Sequence, residues 1–255
     1  MSALEFSPAP GASSSRARLG AQLRHELTLT LRNPEQLLLT LVIPVGILLF
    51  TAGLKILPGH DLQDVNYLLP GVIGLAVLST AFTGQAIATG FERRYGALKR
   101  LGTTPLSRGQ LVAAKTGCVV IVEALQVAVL IAVGYALGWE PNGTAVSAVV
   151  PIVLATAAFS GLGLLMAGTL RAEITLAAAN LVYLLLLFLG GLVFPLTSLP
   201  HGVRTALSYL PSAALATALR TVFELGANPR AHDLLVLSAW AGVAGLVAAR
   251  AFRWE

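Results

Sequence analysis

Residues that could carry chemistry are few in this chain of 255 residues, and they are scattered. All four histidines, His25, His60, His201 and His232, fall outside the long apolar runs, whereas a haem or metal site inside a helix bundle needs histidines within it. The single cysteine, Cys118, excludes an intrachain disulfide and argues against a cysteine-based metal site. No phosphate-binding glycine loop, HExxH or GxSxG motif is present. The sequence therefore does not indicate an enzyme, and energy for any work must come from another molecule.

Four of the polar side chains inside apolar stretches long enough to cross a membrane are candidates for a pathway or another intramembrane role: Glu123, Gln126, Gln85 and Asn180. An intramembrane acid is costly and by default suggests a function, and Gln126 follows Glu123 by about one turn, near the same helix face. A pathway or relay role is one interpretation of this pair. The other, which we favour because Glu123 is shallow, is a structural ion pair with Lys115 or with the basic N-terminal helix. For Gln85 and Asn180 we expect hydrogen bonds between helices.

The strongest charged feature is the segment 91–115, FERRYGALKRLGTTPLSRGQLVAAK. It holds six basic residues and one acid, so its net charge of +5 equals that of the whole chain. A basic segment between two membrane-length runs is typical of a cytoplasmic loop, because lysine and arginine are retained on the inner side. Within it we expect a short helix at Tyr95–Leu101, ended by Thr104-Pro105. Its apolar side carries Tyr95, Leu98 and Leu101, and its basic side Lys99 and Arg100.

The elements that must position these residues are long apolar helices. The chain is 56% hydrophobic and 11% charged, with a mean hydropathy of +0.78, whereas a soluble domain carries roughly twice that charged fraction. We therefore predict an all-α polytopic membrane protein. Residues 1–15 are expected to be disordered, and 16–255 to form a single transmembrane domain. The six predicted spans lie at about 37–54, 66–90, 116–138, 145–170, 174–194 and 234–250.

Two further helical segments flank this predicted bundle. In the N-terminal one, Leu19, Leu23, Leu27 and Leu31 recur every fourth residue and form one stripe of a helix. Its many basic residues favour a helix lying in the membrane interface; a soluble helix packing on a partner is the alternative.

The second is the segment 195–232, which is too broken by proline to span and too apolar for an ordinary solvated loop. Within it Leu215, Leu219 and Val222 are helically spaced, and Pro211 suits a helix start. We predict one or two short re-entrant helices on the outer side; a plain extracellular loop is the alternative.

The distribution of lysine and arginine predicts the orientation. With six spans and a cytoplasmic N-terminus, thirteen of the seventeen basic residues lie inside, and the C-terminus is cytoplasmic as well. Those left on the outer side are Lys55, Arg204, Arg220 and Arg230.

Several segments of the sequence resemble the permease subunit of ABC-2 type exporters. They are Arg32-Asn33-Pro34 after a basic helix, the loop 91–115, and the later runs GTLRAEITLAAANLVYLLLLFLGGLVFPLTSLP and SYLPSAALATALR. Together they cover most of residues 20–250. The loop is the most specific element, and the family's usual arrangement is carried by Glu92, Gly96, Leu98, Arg100, Leu101, Thr104-Pro105-Leu106 and Lys115.

The resemblance implies a permease of the bacterial plasma membrane that moves an amphipathic or hydrophobic substrate outward: a drug, a lipid or a lipid-linked glycan. It also implies a second permease copy or a related permease, and two copies of a separate ATP-binding subunit that hold ATP and Mg. No cofactor on this chain and no nucleic acid partner is implied.

By this resemblance the loop is a coupling helix that contacts the ATP-binding subunit, and the turn with Arg171 and Glu173 is a second, smaller contact. The contact residues implied are Tyr95, Gly96, Leu98, Lys99, Arg100, Leu101, Thr104 and Pro105. The alternative for the loop is that its basic residues only set topology and meet anionic lipid.

Other classes of function remain open: an integral membrane enzyme acting on lipid, an ion-coupled carrier and a non-transporting assembly factor. The enzyme usually needs clustered aspartates, and here aspartate occurs only as Asp61, Asp64 and Asp233. A carrier normally needs more intramembrane ionisable groups than Glu123.

Overall fold

The computed structural model describes residues 13–53, 65–193, 196 and 200–252. These residues form eleven α-helices and one π-helical stretch, Ser79–Gly84, that joins α3 to α4. The helices are α1 (Ser15–Leu31), α2 (Pro34–Gly53), α3 (Val65–Leu78), α4 (Gln85–Arg94), α5 (Ala97–Leu101), α6 (Arg108–Ala136), α7 (Ala145–Thr169), α8 (Ala172–Leu189), α9 (His201–Leu207), α10 (Pro211–Phe223) and α11 (Ala231–Ala251).

Five helical stretches of the described chain are long and apolar enough to cross a membrane. They are Val65–Arg94, which contains α3, the π-helical stretch and α4, and then α6, α7, α8 and α11. The predicted class, an all-α polytopic membrane protein, is confirmed. The count of six spans is not, because the apolar part of α2, Thr40–Ala52, is shorter than the others.

Helix α7 lies at the centre of the bundle and packs on α11, α4, α10 and α6. Glycines allow this close approach, since a methyl group at Gly161 would lie 2.8 Å from the Ala244 carbonyl carbon, and one at Gly163 would lie 2.7 Å from the Phe82 oxygen. The helices are therefore in backbone contact, so a displacement of one span is transmitted directly to its neighbour.

The bundle has two ends, which we call the loop end and the far end. The loop end carries α5, the end of α4 and the beginning of α6. Helix α11 finishes at this same end, because the Arg108 guanidinium donates to the Arg250 carbonyl at 3.2 Å. At the opposite, far end, the turn between α6 and α7 meets α10, since the Asn142 amide donates to the Glu224 carbonyl at 2.6 Å.

Two short helices occupy the far end, as the segment 195–232 predicted. Helix α10 packs against α3, α7, α8 and α11, and its helically spaced residues Leu215, Leu219 and Val222 are all fully buried. Proline at position 211 opens the helix, where its missing N–H costs nothing. The predicted helix is confirmed; its depth relative to a membrane stays a prediction.

Helix α1 packs along α6, and the predicted leucine stripe takes part only partially: Leu23 lies close to Gly117 of α6, whereas the buried residues of α1 are polar. Its two buried residues are Gln22 and Glu26, while Leu31 is 58% exposed. The amide of Gln22 donates to the carboxylate of Glu26 at 2.8 Å. The polar contacts of Glu26 therefore decide which face of α1 turns inward.

Candidate functional site

The predicted short helix in the loop is present as α5, but it begins at Ala97 and not at Tyr95. Gly96 adopts φ of 74°, a left-handed conformation that a residue with a side chain avoids, and this ends α4 and redirects the chain. Tyr95 belongs to the end of α4, where its ring stacks on Phe91 with a centroid distance of 6.2 Å. It is 71% exposed.

Leu98 was predicted as a contact for the ATP-binding subunit, but in the structure it faces its own chain. Its side chain is fully buried in a small core of its own chain, together with Leu111, Val112, Leu164, Ala248 and Phe252. Leu101 packs partly against the same core. Because this core includes residues of α6, α7 and α11, Leu98 anchors α5 to the bundle.

The outer face of the loop is polar and basic. Lys99, Arg100, Thr104 and Pro105 are exposed there, as are Tyr95 and Ala97. This basic face is suited to contact with an acidic surface of another protein. Its exposed side chains can form ion pairs there while Leu98 stays in its buried core.

Hydrogen bonds tie the loop to α1 on one side. The Arg18 guanidinium donates to the Pro105 carbonyl, and the Gln110 amide donates to the Ser15 hydroxyl at 2.6 Å. Ser107 and Gln110 also form a reciprocal capping box at the start of α6. The loop is therefore held at both α1 and α6.

Two arginines at the end of α4 tie the loop to the turn between α7 and α8. Arg93 donates to the last carbonyls of α7, those of Ala167 at 2.8 Å and Leu170 at 2.6 Å. Arg94 forms an ion pair with Glu173. The two segments that the sequence suggested as partner contacts, the loop and the turn with Arg171 and Glu173, are thus joined on one surface.

An ion triad centred on the buried ammonium of Lys115 joins the loop to α1, with the Glu26 side chain 11% and the Glu92 side chain 33% exposed. Lys115 of α6 is 5% exposed, and its ammonium lies 3.0 Å from the Glu26 carboxylate of α1 and 2.7 Å from the Glu92 carboxylate of α4. One cation thereby connects three helices. The favoured pairing of Glu123 with Lys115 or with α1 is wrong, because Lys115 already serves two nearer carboxylates.

Glu123 is instead fully inside the bundle. It is 1% exposed and accepts a hydrogen bond from Thr156 of α7, while its Oε1 atom has no hydrogen bond partner among the described residues. It lies along a mostly apolar cavity of about 300 Å³ between α6 and α7.

The other three intramembrane polar residues differ in whether they bond to another helix or to their own. Gln85 makes the expected contact between helices, since it accepts from Ser160 at 2.7 Å. Gln126, for which no such contact was predicted, also joins two helices by accepting from Thr80 at 3.2 Å. Asn180 does not: its amide donates to the Leu176 carbonyl of its own helix at 2.8 Å, and it is exposed. The expectation for Asn180 is wrong.

Sequence reasoning missed Arg93, Glu26, Thr156 and Ser160, which complete these contacts. An arginine four residues or fewer from a helix end is a signal for carbonyl capping. No sequence signal identifies which of several helices supplies the partner.

These features define a multi-pass helical membrane protein whose basic loop is bonded to α1, to the α7–α8 turn and to α11. The family model described as ABC-2 type transporter matches residues 18–223. The chain belongs to this family and is a permease of the ABC-2 type. Among curated proteins no relative matches it.

Proposed function

We propose that this chain is the membrane subunit of an ATP-driven exporter in the bacterial plasma membrane, and that a separate ATP-binding subunit drives it by contacting α5 from the cytoplasm. One observation carries the proposal. Helix α5 exposes Lys99 and Arg100 on its outer face while Leu98, on its inner face, is fully buried among residues of three spans.

This arrangement provides a path for force. A partner that moves α5 also moves Leu98, and with it Leu111 of α6, Leu164 of α7 and Ala248 of α11. Arg93 and Arg94 carry the same motion to the α7–α8 turn. Close-packed cores shift between discrete arrangements and do not deform smoothly, so a small displacement at the loop is converted into a helix movement.

The positive-inside prediction assigns the loop end of the bundle, where α5 lies, to the cytoplasm. ATP and Mg are then held by the partner, present in two copies, and two permease chains complete the transporter. The apolar cavity between α6 and α7 supports an amphipathic or hydrophobic cargo, because few charges are available there to hold an ionic one.

The experiment is co-purification with charge reversal on the exposed face of α5. The tagged chain is isolated from its native membrane in a mild detergent, and bound ATP-binding subunits are identified by mass spectrometry through their phosphate-binding glycine loop. We expect Lys99→Glu with Arg100→Glu to reduce the bound subunit by about tenfold or more, because attraction becomes repulsion.

The matched control is Lys99→Arg with Arg100→Lys, which keeps both charges and should retain the subunit. Unfolding temperatures of all three proteins are compared, so that loss of fold is separated from loss of contact. Undiminished binding by the reversed variant, with its fold intact, means that α5 is not the contact.

A further inference from the structure

The basic residues that break the positive-inside pattern are gathered in one place. Three of the four residues predicted on the outer side, Arg204, Arg220 and Arg230, line a single cavity at the far end of the bundle. The fourth, Lys55, lies outside the described residues. Since arginine is disfavoured on the outer side, its concentration around one cavity calls for a local explanation.

The cavity is built by helix ends that meet at the far end. It has a volume of about 530 Å³ and is bounded by the start of α3, by α9 and α10, and by the start of α11. This is enough space for a headgroup, because ligand pockets begin at roughly 300 Å³. It is separate from the loop end, where the proposed partner binds.

Arg220 is the fixed cation of the cavity. Its guanidinium carbon lies 4.6 Å from the centre of the Tyr67 ring, and its Nε lies 3.6 Å from the Glu224 carboxylate. That carboxylate is the ion-pair partner of Nε, although it lies beyond hydrogen-bond distance, whereas the buried Nη2 atom makes no hydrogen bond within the described part of the chain. Buried donors without an acceptor are costly, and an incoming oxygen anion removes that cost.

The charges around the cavity leave a positive excess. Among the described residues that line the cavity, two acids, Glu224 and Asp233, face the three arginines, so one positive charge is left over with the histidines neutral. Asp233 is further occupied, since its Oδ1 lies 3.3 Å from His232 Nδ1. His201 and His232 also line the cavity and add positive charge when protonated.

Two exposed side chains with apolar surface form what we call the apolar rim of the cavity. Leu225 lines the cavity and is 67% exposed, and Tyr209, whose ring centre lies 5.4 Å from that of the lining residue His232, is 60% exposed. A free inorganic ion gains no free energy from contact with an apolar rim. The hydrocarbon chains of an amphiphile would gain it, because they would cover the rim and remove apolar surface from water.

We propose that this far-end cavity binds the phosphate-bearing headgroup of an amphiphile. Arg204, Arg220 and Arg230 bind the phosphate oxygens, for which the planar guanidinium is suited, and the apolar rim contacts the hydrocarbon part. The proposal goes beyond the exporter function, because binding requires neither the ATP-binding subunit nor transport.

The experiment measures binding to the full chain, purified in a maltoside detergent that contains no phosphate, by isothermal titration. The probes are dihexanoyl phosphatidic acid, glycerol 3-phosphate and inorganic phosphate. We expect the phosphatidic acid to bind at least about tenfold more tightly than the two phosphates without acyl chains. We expect Arg204→Gln with Arg230→Gln, both at exposed positions, to weaken it by about tenfold or more.

Matched controls are Arg24→Gln with Arg32→Gln, exposed arginines of α1, which should leave the affinity unchanged. Arg220→Lys, which keeps the charge but loses the planar donors, should give a smaller loss than the double variant. Equal affinity in the wild type and the double variant, no binding of phosphatidic acid, or equally tight binding of inorganic phosphate overturns the proposal. None of these results bears on the contact at α5.

Discussion

Removing the cation of the ion triad is the sharpest test of how the loop is held. In Lys115→Met, the Glu26 and Glu92 carboxylates keep their positions around an apolar side chain of similar length. The ammonium lies within 3.0 Å of both carboxylates and is 5% exposed. Breaking a buried ion pair by removing one partner costs about 3–5 kcal/mol, because the remaining charge has no compensation.

We expect this loss to lower the unfolding temperature in detergent by roughly 6–20 °C, using about 2–4 °C per kcal/mol for a chain of this size. The assay is thermal unfolding followed by size-exclusion chromatography of the fluorescent fusion protein. Lys115→Met combined with Glu26→Gln and Glu92→Gln should recover much of the loss, since no buried charge then remains unpaired.

The matched control is the ion pair between Arg94 and Glu173, whose side chains are 50% and 62% exposed. Glu173→Gln should cost no more than about 1 kcal/mol, because solvent screens an exposed pair. If Lys115→Met is no more destabilising than Glu173→Gln, or if the triple variant is as unstable as Lys115→Met alone, the triad does not hold the three helices together.

Three further predictions concern Leu98, which anchors α5, Gly96, which has a left-handed backbone, and the intramembrane acid Glu123. Leu98→Ala should destabilise the chain by about 2–5 kcal/mol in thermal unfolding, whereas Lys99→Ala should have little effect; equal effects would mean that Leu98 is not an anchor. Gly96→Ala should cost about 1–2 kcal/mol in the same assay because of its left-handed backbone, and no loss would contradict that conformation. Thr156→Val should destabilise by about 1–3 kcal/mol because it removes the hydroxyl that donates to the buried Glu123 carboxyl, whereas in the Glu123→Met background the same change should cost less; equal costs in the two backgrounds would exclude that hydrogen bond.

Apolar length and proline position were sufficient to predict most of the fold. The runs that became α6, α7, α8 and α11 are long, apolar and poor in charged residues, so composition alone predicts them. The π-helical stretch at Ser79–Gly84 could not be predicted, because the apolar periodicity of a span does not distinguish a π-helical turn from the α-helical turns around it.

The candidate site was predictable as a segment but not as a set of contacts. Its basic residues and the helix-ending Gly96 can be recognised from the local sequence, and they predicted the position of α5 to within two residues. The roles of Leu98 and Lys115 were not local. Helix spacing places Leu98 on the apolar side of the helix with Leu101, but only the positions of α7 and α11 decide whether it faces its own chain or a partner.

The same limit explains the mistaken partner of Glu123. Along the sequence Lys115 is two turns away and the nearest cation on the same helix. In the fold, α1 and α4 bring Glu26 and Glu92 closer to it, and α7 supplies Thr156 to Glu123 instead.

Cross-linking from α5 tests directly whether an ATP-binding subunit contacts this helix. Cys118 is the chain's single cysteine, so Cys118→Ser gives a background in which Lys99→Cys carries the only thiol. With a short bifunctional thiol–amine reagent in native membranes, we expect an adduct between position 99 and an ATP-binding subunit. We expect no adduct from Thr205→Cys at the far end. An adduct from position 205 alone, or from neither position in an assembled complex, would contradict this expectation.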